Sequence, residues 1–360
     1  MKMVFRWFGE DQDTVSLAFI RQIPGVSGIV GALYDVAVGE AWPALGIERL
    51  KRQAEEYGLS LEVIESVNIH EDIKLGKPSR DRYIENYRIT LERLARAGVK
   101  VVCYNFMPVL DWYRTELAHP LPDGSTAFFY EAAKVKALSS ETIVESMSRE
   151  SRGFVLPGWE KERLAELSSL FRSYEGFGEE DLLKSLGYFL NAVMPVCEEY
   201  DIKLAIHPDD PPWPIFGLPR IVGSEEGLAR ILALADSPYN GLTLCSGSLG
   251  ANPKNDVPAI LRRFSGMGRV HFAHVRNIKR LPNGDYMESA HLSSEGSLDL
   301  YEIMRALYET GYEGYIRPDH GRMIWGERAR PGYGLYDRAL GIAYLNGLWE
   351  ALEKGGRKVE

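Results

Sequence analysis

Four residues have types and spacings that suggest chemistry: His207, Cys245, His274 and Asp319. Imidazole, thiolate and carboxylate groups are all competent ligands for divalent first-row ions. The four stand 38, 29 and 45 residues apart, and each interval is about one strand-plus-helix unit. If each residue ends a strand of a repeating β/α architecture, four neighbouring strands present one side chain apiece to a common mouth. A lone cysteine on an apolar segment is usually a small buried hydrophobe, and Cys103 and Cys197 read that way. His119 and His291, in loops, read as structural histidines. Four ligand-type residues at successive strand ends are instead expected to form a metal site.

Flanking residues extend the constellation. His207 is followed by Pro208-Asp209-Asp210-Pro211-Pro212, a stiff turn that projects carboxylates beside the ligand. Arg276 lies two residues after His274, and Arg317 two before Asp319, so each shares a strand face with its neighbour. Either guanidinium is a candidate two-point clamp for a substrate carboxylate, the alternative being a buried pair with Asp. Glu65, Asp209 and His70 are further candidates to face a substrate.

The elements that must position these groups are legible as alternation. Short β-branched or aromatic runs occur at 3–8, 28–34, 61–67, 99–106, 202–207, 241–247, 269–275 and 314–319. Most are continuously apolar, as strands buried on both faces are. Between them, helical spacing predicts helices from Pro43 to Tyr57, Arg80 to Ala97, Glu180 to Tyr200, Ser224 to Ala235, Asp256 to Phe264, Ser297 to Thr310 and Asp337 to Leu352. Eight strands alternating with helices predict an α/β fold, a (β/α)8 TIM barrel forming one domain over 1–360. An open doubly wound sheet is disfavoured, because Trp7-Phe8-Gly9-Glu10 is not a glycine-rich phosphate turn. Residues 107–180 exceed any ordinary βα connection. They are expected to form a helical insertion between strands four and five, with helices around 127–150 and 159–174, serving as a lid over the mouth or an oligomer contact. A homo-oligomer, dimer or tetramer, is expected.

Composition excludes several partner classes. The 360 residues carry 42 Lys plus Arg against 51 Asp plus Glu, a net charge of −9. That sign repels phosphate backbones and anionic lipid, so neither nucleic acid nor membrane is an expected partner. No apolar run is long enough to cross a bilayer, and the N-terminal residues lack a cleavable apolar segment. Three cysteines are too sparse for a disulfide framework and read as reduced thiols, which places the chain in the cytoplasm.

Arg317-Pro318-Asp319-His320-Gly321, taken with His207 to Pro212, resembles the mannonate dehydratases of hexuronate breakdown that have a xylose-isomerase-like barrel. Further matching stretches are Glu65-Ser66-Val67, Ile69 to Asp72, Val102 to Trp112, Gly217 to Val222 and Pro331-Gly332-Tyr333. The resemblance implies a hydro-lyase that dehydrates D-mannonate, a small sugar acid, to 2-keto-3-deoxy-D-gluconate. It also implies a manganese or ferrous ion on His207, Cys245, His274 and Asp319, with His320 and Tyr333 in acid–base work. A thiolate with two imidazoles favours zinc on affinity, so manganese and iron rest on the resemblance. The chemistry is consistent with this reading: proton removal beside a carboxylate builds a dianion, and loss of the neighbouring hydroxyl needs a proton or Lewis acid. The alternatives are a metal-dependent sugar isomerase or epimerase on the same barrel, or a non-catalytic sugar-acid-binding module.

Overall fold

The computed structural model of the protein describes residues 1–138, 142, 143, 146, 147 and 161–356. The strands are β1 (Lys2–Arg6), β2 (Val26–Gly31), β3 (Ser60–Glu65), β4 (Val101–Tyr104), β5 (Glu116–Pro120), β6 (Thr126–Tyr130), β7 (Lys203–Ile206), β8 (Asn240–Cys245), β9 (Val270–His274), β10 (Ile278–Arg280), β11 (Tyr286–Glu288) and β12 (Tyr315–Arg317). Eight of them close a parallel barrel in the order β1-β12-β9-β8-β7-β4-β3-β2. These are the eight apolar runs of the sequence, and the chain is a (β/α)8 barrel. Among the described residues, no helix is long and apolar enough to cross a membrane.

The helices form where helical spacing places them, and their ends have local causes. Helix Arg80–Arg96 buries Ile84, Tyr87, Leu91 and Leu94 along one stripe, and Gly98 at φ +96° turns the chain into β4. Helix Leu300–Glu309 opens on Asp299, whose side chain accepts from the backbone N–H of Tyr301 and Glu302. Ser224 and Asp256 cap helices Glu225–Leu234 and Val257–Gly266 in the same way.

Inside the barrel, side chains alternate with period two along each strand. Val4, Val63, Val101, Ala205, Phe272 and Tyr315 form a buried cluster of their own within the cylinder. Two residues farther along the same strands stand Arg6, Glu65, Cys103, His207, His274 and Arg317. An apolar floor, which Cys103 joins, therefore carries a layer of polar and ligand-type groups at the carboxyl ends of the strands. Pairing register aligns this layer directly: His274 is the partner of both Cys245 on β8 and Arg317 on β12.

A second sheet, with the order β10-β11-β6-β5, stands outside the barrel. The connection after β4 provides β5 and β6, and the connection after β9 provides β10 and β11. Antiparallel pairing of Tyr286 with Tyr130 and Met287 with Phe129 joins the two. This corrects the expectation of helix from residue 127: Thr126–Tyr130 is a strand, followed by a short helix at Ala132–Ala137. Its apolar run Ala127-Phe128-Phe129-Tyr130 fits either period, and only the β11 partner settles it. Helix Lys161–Ser173 matches the second helical stretch, and most of residues 139–160 lie outside the described residues.

Candidate active site and metal centre

One ligand atom from each of His207, Cys245 and His274 lies within 4.8 Å of the others. His207 Nε2 and His274 Nδ1 face each other at 3.1 Å, close to the spacing of two nitrogens held about 2.1 Å from one ion. The second nitrogen of His207 decides its tautomer: Nδ1 sits 2.7 Å from the Pro208 carbonyl and donates to it, leaving the Nε2 lone pair free to ligate. His274 is fully buried, with Arg317 Nε 3.0 Å and Glu65 Oε2 3.4 Å from its Nε2. Arg317 Nε donates to His274 Nε2, so Nε2 accepts and the ring proton sits on Nδ1, facing His207 Nε2; an ion bound through Nδ1 displaces that proton. Cys245, the last residue of β8, accepts from Ser248 Oγ at 3.1 Å and Ser248 N at 3.4 Å. Two imidazoles and a sulfur so arranged fit a divalent transition ion.

Asp319 lies just beyond β12, in the left-handed region at φ +58°, a conformation Asp adopts more readily than most side chains. Its Oδ2 is 3.4 Å from Cys245 Sγ and its Oδ1 3.9 Å from His274 Nδ1, so it flanks the trio. Arg276 Nε donates to Oδ2 at 2.7 Å, and Arg317 Nη1 stands 2.8 Å from Oδ1. Burial alone raises its carboxyl, yet His320, Arg317, His274 and Arg276 outweigh that and hold it well below the usual range. Glu65 is held low in the same sense, with burial opposed by Arg317 and His274. A second grouping, Glu65, Cys103 and His274, is also close. There, burial and then Glu65 push the Cys103 thiol well up, and Arg317 occupies Glu65 at 3.1 and 2.8 Å, so a thiolate ligand is disfavoured.

His320 and Tyr333 meet beside the trio: His320 Nε2 is 2.9 Å from Tyr333 Oη. Burial, with Asp319 adding, pushes the Tyr333 phenol up, while Arg317 and Arg6 pull it partly back. Trp112 and Phe128 line the other side of the His320 ring.

The residues expected to face a substrate are placed as follows. Arg276 is 1% exposed and all three of its nitrogens are committed: Nε to Asp319, Nη1 to both Glu288 oxygens at 2.7 and 2.6 Å, and Nη2 to Asp210 at 3.0 Å and Ser248. Arg317 is equally engaged by Glu65, His274 and Asp319. Both hold neighbouring groups in place, although Arg317 Nη1, 2.8 Å from Asp319 Oδ1, makes no hydrogen bond. Asp209 is buried and faces its own connection, accepting from Val222 N at 2.6 Å. His70 caps helix Glu71–Lys74 through Asp72 N and stacks on Tyr83 at 3.7 Å between centroids.

Arg114, Tyr286 and Glu288 are the groups that reading the sequence missed. Arg114 pairs with Asp210 at 2.7 and 3.0 Å and with Glu288 at 3.1 Å, and Tyr286 Oη donates to Asp210 at 3.1 Å. Glu288 Oε1 in turn lies 3.6 Å from His320 Nδ1. Burial opposes ionisation of Glu288, but Arg276, His320 and Arg114 bring it down to about 2. A buried ionic chain thus runs from the outer sheet to His320 and Tyr333, and only a buried position marks such residues.

Comparison with known proteins agrees with this geometry. Residues 1–359 match the family model of D-mannonate dehydratase (UxuA). A mannonate dehydratase of Thermotoga neapolitana is 61% identical over 354 residues, 98% of each chain. One of Geobacillus thermodenitrificans is 61% identical over 360 residues, covering 100% of this chain and 97% of that one. The crystal structure of mannonate dehydratase from Streptococcus suis serotype 2 superposes with a TM-score of 0.90 at 45% identity, covering 100% of this chain and 97% of that one. A xylose isomerase domain protein of Planctomyces limnophilus, 12% identical with a TM-score of 0.56 and 98% of each chain covered, shares the barrel fold. A barrel mouth that gathers ligand-type and proton-carrying side chains, on a chain matched from end to end by these relatives, has one reading: the chain belongs to the mannonate dehydratase family.

Proposed function

We propose that the protein is a hydro-lyase that eliminates water from D-mannonate to give 2-keto-3-deoxy-D-gluconate, with a divalent cation at His207, Cys245, His274 and Asp319. The observation that carries this is the 2.9 Å contact of His320 with Tyr333 beside the two imidazoles and the sulfur. Binding alone needs no paired proton carriers. Identity of 61% to proteins named mannonate dehydratase, against 12% to a xylose isomerase domain protein, disfavours the isomerase reading.

When bound, the ion supplies Lewis acidity toward substrate oxygens and offsets the charge that builds as the C2 proton leaves. Manganese or ferrous iron follows from the family, with zinc the competitor on ligand softness. The chain's own groups carry the protons. Burial keeps the Tyr333 phenol protonated, so it is the acid that delivers a proton to the departing C3 hydroxyl. His320 is the base that takes the C2 proton, with Glu288 facing its other nitrogen. Arg276 and Arg317 fix Asp319, Glu65 and His274, which limits reorganisation during the reaction. Residues 107–138 supply Trp112, Arg114 and Phe128 to the mouth, and we assign them the role of a cover that excludes water. The three cysteines are buried and unpaired, consistent with a reducing cytoplasm.

The test is to strip the purified protein of metal, restore Mn2+, Fe2+ or Zn2+ singly, and assay the 2-keto-3-deoxy acid formed from D-mannonate. Product that depends on an added ion is expected. Absence of product with every ion, or product unaffected by stripping, overturns the proposal.

A further inference from the structure

Arg276 is saturated by protein acids and Arg317 is paired with Glu65, which directs the search for the carboxylate's partner to the other mouth guanidiniums. We propose that Arg6 and Arg330, with Tyr34 beside them, form the subsite that binds the substrate carboxylate. This rests on the sugar-acid reading above and assigns one end of that substrate.

Arg6 follows Val4 by two residues on the inward face of β1, at the strand's carboxyl end, so its guanidinium enters the barrel mouth. Arg330 reaches the same place from the loop that carries Tyr333. Both are buried, at 5% and 2% exposure. Each stacks on Phe8, with ring centroids 4.8 and 4.1 Å away, and Phe8 packs edge-on against Tyr333 at 4.8 Å. The two cations therefore adjoin the proton-carrying pair.

What separates them from the other mouth guanidiniums is the lack of an acid. Arg114, Arg276 and Arg317 each contact carboxylates within 3.1 Å. Among the described residues, neither Arg6 nor Arg330 has a carboxylate oxygen within 4.0 Å. Arg6 donates to Tyr34 Oη at 2.5 Å and Val30 O at 3.4 Å, and Arg330 donates to Gln12 O at 3.1 Å. Arg330 Nε, buried, has no acceptor. Asp13 acts on Arg330 through its field, but its oxygens accept from Phe8 N and Val15 N, each at 2.9 Å. Asp13 and Glu65 act on Arg330 and Arg6 only through their fields, so neither buried guanidinium has a carboxylate in direct contact, and a bound carboxylate supplies one. A carboxylate held here places the adjoining C2 near Tyr333 and His320. It also neutralises the charge that grows on that carboxylate as the C2 proton departs.

The experiment compares D-mannonate with mannitol, its neutral alditol, on the metal-loaded wild type and on Arg6→Gln, Arg330→Gln and Arg330→Lys, by calorimetric binding and by KM and kcat. Loss of a charge-assisted contact is expected to weaken D-mannonate binding about tenfold or more. Mannitol binding, metal content and melting temperature should change little, and Arg330→Lys should recover part of the loss. D-Mannonate binding as in the wild type in both glutamine variants overturns the subsite, as does equal weakening for D-mannonate and mannitol. If Arg6→Gln does not fold, Arg330→Gln and Arg330→Lys decide the question by the same criteria. Failure of the proposed function looks different: no keto acid forms in the wild type, while preference for D-mannonate over mannitol, abolished in the variants, still supports the subsite.

Discussion

His320 and Tyr333 sit 2.9 Å apart, yet they are assigned opposite ends of the elimination, and the physical ground is the phenol. A buried phenol pushed up from its ordinary value resists ionising and keeps a proton to give. The two steps separate when the C2 proton exchanges with solvent before water leaves. In D2O, Tyr333→Phe is expected to keep C2–H exchange into D-mannonate while losing dehydration by about 10²-fold or more. His320→Asn is expected to lose both. Nuclear magnetic resonance of recovered substrate reads the exchange directly, and exchange retained in His320→Asn would reverse the assignment.

Among the elements, the four-stranded outer sheet matters more to the site than its distance from the barrel axis suggests. β11 presents Tyr286 and Glu288 to the mouth, and Arg114 arrives just before β5, so two connections far apart in the chain build one ionic wall. The Tyr286 ring holds this wall in place: it stacks on Tyr130 at 5.0 Å, lies 4.8 Å under the Arg114 guanidinium, and bonds Asp210. Tyr286→Ala leaves a cavity where the two connections meet and frees one acceptor on a buried carboxylate. It should cost about 3 kcal/mol in stability, read by denaturant titration, and lower kcat through misplaced Glu288. The far-UV circular dichroism of the barrel should be retained. Unchanged kcat in a folded variant would mean the sheet does not position Glu288.

For the whole molecule, charge burial sets the response to pH. Burial pulls His271 down to about 4, against the bond to Leu204 O that favours its charged form. A histidine neutral in the folded state and protonated when unfolded contributes stability at pH 7 that is lost as the pH falls from about 6.5 toward 4. This group alone should remove about 2 kcal/mol between pH 7 and pH 5, measured as the change in unfolding free energy. His291, also pulled down by burial, acts in the same direction. The paired carboxylates Glu65, Asp210, Glu288 and Asp319 are held low and give up their share only at more acid pH. A flat profile from pH 7 to 5 would show that His271 is not buried neutral.

The barrel, the register of its strands and the ligand-type residues at their ends follow from short-range chemistry: β-branched runs, helical spacing, caps, and ligand types one βα unit apart. His207, Cys245 and His274 could be picked out because each stands at the end of its own apolar strand, where the period-two pattern leads from core to mouth. Arg276 and Arg317 could be located by the same rule, but not their use, since an inward guanidinium looks alike whether it meets a substrate or an aspartate. Arg114, Glu288 and Tyr286 had no local mark at all, and Asp209 and His70, marked by their neighbours, are placed as a loop contact and a helix cap. Charge pairing in a closed interior is a contest among all groups that reach the same space, including partners such as Arg114 and Glu288 that are 174 residues apart. That contest is resolved when the two connections fold over the mouth and water is displaced.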